Sequence, residues 1–120
     1  MAKVGSPSRG EIYLVNFDPT LGSEIRKTRP ALIIQNNVAN QFSPIIIVAA
    51  ITSKYDDKLY PTEVLILANT SGLKQDSVIL LNQIRSIDRQ RLSKKIGKLP
   101  EATLKKVEAA IKVSLGLIEI

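Results

Sequence analysis

The chain has 120 residues, 44% of them hydrophobic and 23% charged, proportions of an ordinary folded domain that exclude disordered, collagen-like and low-complexity classes. It contains neither cysteine nor histidine, which rules out disulfides, a thiolate nucleophile, a cysteine zinc site and any imidazole base or ligand. Seventeen basic residues against eleven acidic ones leave a formal charge of +6, a balance suited to a polyanionic or acidic partner.

A chain of this length is expected to form a single domain over residues 1–120. Residues 1–9 form a lead, expected to be flexible, without the apolar stretch of a signal peptide. Glu11–Phe17 is apolar on nearly both alternating faces and reads as a strand. Asp18–Thr28 shows neither period and carries Pro19, Gly22, Ser23 and, beside Glu24, Arg26 and Lys27 of a basic knot completed by Arg29, so it is a long loop of the kind that often has a function. Pro30 disfavours helix at Arg29 and opens a second strand over Ala31–Gln35.

Asn36–Pro44 has the composition of a turn. Ile45–Ile51 is the longest unbroken apolar run, too short to span a bilayer and of the length and β-branching of a central strand. A cytoplasmic protein with no membrane role follows as the expectation. Tyr55–Thr62 is a polar connection, Glu63–Leu67 a strand and Asn69–Gly72 a turn. Val78–Leu81 and Ile84–Ile87 are two strands or one bent strand, and Ile96 marks a further short one. Leu104, Val107, Ile111, Leu115 and Ile118 recur at helical steps after Pro100, with Glu101–Lys105 and Glu108–Lys112 at i,i+4 spacing, which predicts a C-terminal helix. The fold class is therefore mainly β with a C-terminal helix, a small antiparallel barrel covered by that helix.

With imidazole and thiol chemistry gone, catalysis would have to run on arginine, lysine, carboxylates and hydroxyls. Asp56 and Asp57 are adjacent and point to opposite faces of an extended segment, so they make a poor metal site; no metal and no cofactor are expected. Arg29 immediately precedes the second strand and Thr52 and Ser53 follow the third. If these strands are antiparallel neighbours, Arg29 and Thr52 share one rim. A guanidinium fork and a hydroxyl there make a clamp for phosphate oxygens. In RNA the 2′-hydroxyl can itself attack the phosphorus, so such a clamp needs only to align the linkage and stabilise charge. Six basic residues between Arg85 and Lys98, opposed by Asp88 alone, would guide the RNA backbone or attract an acidic protein segment.

Arg9–Tyr13, Gly22-Ser23-Glu24, Thr28–Ile33, Asn36-Asn37, Ile51-Thr52-Ser53, Asp76–Arg85 through Asp88, and Arg91-Leu92 together resemble the MazF/PemK family of toxin endoribonucleases, from about Arg9 to the terminal helix. The resemblance implies an SH3-like (MazF/CcdB-like) barrel, a homodimer, and sequence-selective, metal-independent cleavage of single-stranded RNA, held off by a cognate acidic antitoxin. It implies Arg29 and Thr52 as the catalytic pair and Ser23, Glu24, Ser53 and Gln83 as residues near the bound RNA. The products would carry 2′,3′-cyclic phosphate and 5′-hydroxyl ends. A guanidinium is a poor base, so removal of the 2′-hydroxyl proton falls to Glu24, a water or a phosphate oxygen. The competing readings are a non-catalytic barrel that binds nucleic acid or a protein target such as gyrase, and a plain protein-interaction module.

Overall fold

The computed structural model describes residues 5–119; the start of the expected flexible lead, residues 1–4, lies outside the described residues. Of the rest of that lead, the Ser8 N–H donates to Glu11 Oε1 at 2.6 Å and the Arg9 N–H to Asn37 Oδ1 at 2.7 Å. Arg9 also places Nη1 2.9 Å from Glu108 Oε2, so the lead is tied down before the first strand begins.

Six antiparallel strands follow: β1 (Glu11–Asn16), β2 (Thr28–Ile33), β3 (Ile45–Thr52), β4 (Glu63–Ile66), β5 (Ser77–Asp88) and β6 (Leu92–Lys98). Their order across the sheet is β4-β5-β3-β2-β1-β6. A C-terminal helix, here called α3 (Glu101–Ser114), covers one side. The two shorter helices are α1 (Asn37–Phe42) and α2 (Ala68–Ser71).

The central strands are apolar on both faces because both faces are covered. Ile12, Leu32, Ala49, Ile51, Ile79 and Leu81 pack with Val107 and Ala110 of α3. Their alternating neighbours Tyr13, Val15, Ala31, Ile33, Val48 and Ala50 form a second cluster with Phe17 and Ile87. The sheet curls until its edges meet: α2, which follows β4, packs against β6. A Cβ added at Gly97 would stand 2.0 Å from the Ser71 carbonyl oxygen, and one at Gly72 would stand 2.6 Å from that of Ile96. Only backbone without side chains closes this seam.

The residues expected in two strands, Val78–Leu81 and Ile84–Ile87, lie in one bent strand. Opposite β3, Ala49 pairs with Ile84 but Ala50 pairs with Leu80, so Leu81, Asn82 and Gln83 bulge from the ladder. Asn36–Pro44 corrects the sequence reading, since it holds α1 rather than a turn. The Asn36 side chain caps that helix by accepting from the Ala39 N–H at 2.8 Å, and the buried Asn40 donates to the Gln35 carbonyl and accepts from the Gln35 side chain. The C-terminal helix stops at Ser114, with Leu115 as its C-cap and Gly116 just beyond at φ 73°. Leu115 and Ile118 are therefore exposed rather than on its packed face, and Glu108 pairs with Arg9.

Candidate active site

β2 and β3 pair with Ala31 opposite Ala50, Leu32 opposite Ala49 and Ile33 opposite Val48. Continued to the rim, that register sets Arg29 opposite Thr52. Both side chains line one cavity of about 520 Å³ together with Ser53, Lys74, Gln75, Lys94 and Lys95, and among the described residues no carboxylate lines it. Arg29, Lys74 and Lys94 around one hollow, with Lys95 offset by Glu11, produce a field that attracts anions. Arg29 is exposed, and its Nε reaches the Arg26 carbonyl at 3.4 Å. The Thr52 hydroxyl accepts from the Lys54 N–H at 3.1 Å, a local turn contact that fixes where the oxygen points.

Lys95 is held by Glu11, with Nζ 2.6 Å from Oε2. Burial alone would raise the Glu11 carboxyl. The hydrogen bonds from Lys95 and the Ser8 N–H, with the charge of Lys95 and Lys98, outweigh it and keep the group below its ordinary value. The same contact raises the Lys95 ammonium. Lys74 and Gln75, which sequence reasoning did not single out, reach the cavity because the connection after α2 folds back beside the β2–β3 rim. No local pattern signals that return.

Ser23, Glu24 and Gln83 come together at a different place. They line a second cavity of about 470 Å³ with Phe17, Ile25 and Arg85. Gln83 projects from the β5 bulge; its Oε1 accepts from the Ile25 N–H at 2.7 Å, and its Nε2 lies 3.5 Å from the Ser23 carbonyl. Glu24 Oε1 accepts from the Leu21 N–H at 2.6 Å, so its carboxylate closes its own turn. Ser53 lines the first cavity and also a third hollow with Tyr55, Asp56, Lys58 and Tyr60. Of the aromatic residues, Tyr13 and Phe17 are buried in the core and Tyr55 is exposed.

Residues 8–115 match the family model described as PemK-like, MazF-like toxin of type II toxin-antitoxin system. The chain belongs to that family. The MazF-like toxin is 48% identical over 111 residues to the endoribonuclease EndoA of Bacillus subtilis, covering 92% of this chain and 96% of that one. It is 46% identical over 109 residues to the endoribonuclease MazF of Staphylococcus saprophyticus, covering 91% of each. Its fold is similar to that of the MazE–MazF crystal structure from Deinococcus radiodurans, with a TM-score of 0.73 and 26% identity over 92% of this chain and 96% of that chain. The antiparallel barrel with a C-terminal helix is thus shared with that structural neighbour.

Proposed function

We propose that this MazF-like endoribonuclease toxin acts as a single domain, spanning residues 1–120, that cleaves single-stranded RNA at selected sequences without a metal ion. Arg29 and Thr52 form the catalytic pair. The observation that carries this reading is that both line one cationic cavity beyond the end of the β2–β3 ladder, with no carboxylate in its lining among the described residues. A cavity so lined favours a phosphodiester over a divalent cation. The 2′-oxygen attacks phosphorus, the 5′-oxygen leaves, and the products are a 2′,3′-cyclic phosphate and a 5′-hydroxyl. Charge grows on the non-bridging oxygens as the bond forms; Arg29 meets it with a planar pair of donors and Thr52 with a hydroxyl. Arg29 also protonates the departing oxygen.

Glu24 lines the other cavity and is bonded to its own loop, which favours a water or a phosphate oxygen as acceptor of the 2′-hydroxyl proton. Ser53 contacts RNA next to the clamp; Ser23, Glu24 and Gln83 contact it further along, consistent with two hollows on one strand's path. The protein acts as a cytoplasmic homodimer and is neutralised by a cognate acidic antitoxin; the antitoxin reading is supported by its family and by the MazE–MazF structure of the Deinococcus protein.

The deciding experiment incubates a single-stranded RNA library with the protein in excess EDTA and maps the ends. Cutting is expected for the wild type, with a loss of about a hundred- to a thousandfold in Arg29→Ala, in line with removal of one transition-state donor. Equal cutting by a folded Arg29→Ala variant would sink the assignment, and absence of cutting by the wild type would leave a non-catalytic binding toxin.

A further inference from the structure

The loop between β1 and β2 leads directly into Arg29, and its shape is set from across the molecule. At its root, the carbonyls of Asn16, Phe17, Asp18 and Pro19 run consecutively past the end of β1. Two arginines take all of them. Arg85 Nη1 donates to the Phe17 carbonyl at 2.5 Å and Nη2 to that of Pro19 at 3.5 Å, with the guanidinium carbon 5.9 Å from the centre of the Phe17 ring. Arg91 Nη1 donates to the Asn16 carbonyl at 2.9 Å and also to that of Asp18. The returning side of the loop is fastened to the same root. The Phe17 N–H donates to the Lys27 carbonyl at 3.0 Å, and the Lys27 N–H donates to Asp18 Oδ1 at 3.0 Å, with Lys27 in the left-handed region at φ 66°. One residue earlier, the Arg26 carbonyl accepts from Arg29 Nε.

We infer that Arg85 is a positioning residue for the cleavage reaction: assisted by Arg91, it fixes the root of the β1–β2 loop and, through Lys27 and Arg26, the direction of the Arg29 guanidinium. This rests on the endoribonuclease reading of Arg29. Of the basic cluster that looks from sequence like a track for RNA, the three arginines Arg85, Arg89 and Arg91 are engaged by backbone carbonyls, while Lys94 and Lys95 line the first cavity. A planar fork can hold two carbonyls at fixed separation, whereas an ammonium on a flexible stem is a single point. Charge and geometry can therefore be separated by one substitution.

The test compares the wild type, Arg85→Lys and Arg85→Ala, all checked for equal unfolding temperature, in steady-state cleavage of a short RNA over a range of salt. Positioning predicts that both variants lose about ten- to a hundredfold in kcat, the scale for a displaced catalytic group. KM should rise by less than kcat falls in both variants, because the effect acts mainly through Arg29, with a smaller part through Ser23 and Glu24 on the same loop. The salt dependence should be unchanged. A direct phosphate contact gives the opposite pattern: Arg85→Lys retains activity, while Arg85→Ala raises KM and lowers the logarithmic salt slope by about 0.7. That pattern would overturn the proposal. A second arm needs no RNA: trypsin nicking after Arg26 and Lys27, located by mass, should be faster in both variants than in the wild type, and unchanged nicking would overturn the clamp. If the wild type cuts no RNA, the function is what falls, and the nicking rates alone then establish or refute Arg85's hold on the loop.

Discussion

At the scale of single residues, the Glu11–Lys95 pair has a definite pH signature. Glu11 is lowered when folded, so its contribution is present above 4.5 and is lost as pH falls through the folded value. Lys95 is raised, so its contribution is present below 10.5 and is lost as pH rises through the folded value. The unfolding-temperature difference between wild type and Lys95→Met should therefore be level between about pH 4.5 and 10.5 and shrink outside that window on both sides. A difference that persists at pH 2 would show that packing of the lysine stem, not the ion pair, holds β1 to β6. That Arg29 and Thr52, the proposed pair, share one rim was legible in the sequence because Pro30 and the apolar run before Thr52 mark two neighbouring strands, although β2 begins at Thr28, ahead of Arg29. The roles of Arg85 and Arg91 were not legible. Their partners lie 66–75 residues away in the chain and are backbone carbonyls, which leave no trace in any local pattern.

Among the elements, α1 shows what a short helix hides. Its six residues bury Asn40 alone, so no apolar period exists to reveal it, and its polar composition reads as a turn. The available signal was at the ends: Asn36 as a cap and Pro44 as a stop. Replacing Asn36 by alanine should cost about 0.5–2 kcal/mol, the usual range for a lost N-cap, seen as a lower denaturant midpoint. Cleavage should be untouched, because α1 joins the ends of β2 and β3 opposite to Arg29 and Thr52. The strands were easier to read. β-branched runs bounded by Pro, Gly and Asn give their positions to within a few residues, and the bend in β5 was foreshadowed by the polar pair Asn82–Gln83 interrupting an apolar sequence. What the pattern left open was that the interruption is a bulge whose amide side chain reaches the loop.

For the molecule as a whole, closure depends on the contact between α2 and β6. Gly97→Ala should destabilise by about 1–3 kcal/mol or more, as overpacking against fixed backbone does, measured as a drop in urea midpoint; an unchanged midpoint would mean the two edges can part at little cost. The barrel class followed from counting short strands, but nothing in the sequence marks Gly72 and Gly97 as partners, since they meet only after the sheet has curled. The clothing of β1, β2 and β3 on both sides has a further result. A strand covered twice has no spare surface, so its middle residues can change only within the volume their neighbours allow. Variation that alters what the protein recognises is thereby confined to the places where strands begin and end, and a relative can acquire a new preference by rewriting its connecting segments while the interior that holds them is left alone.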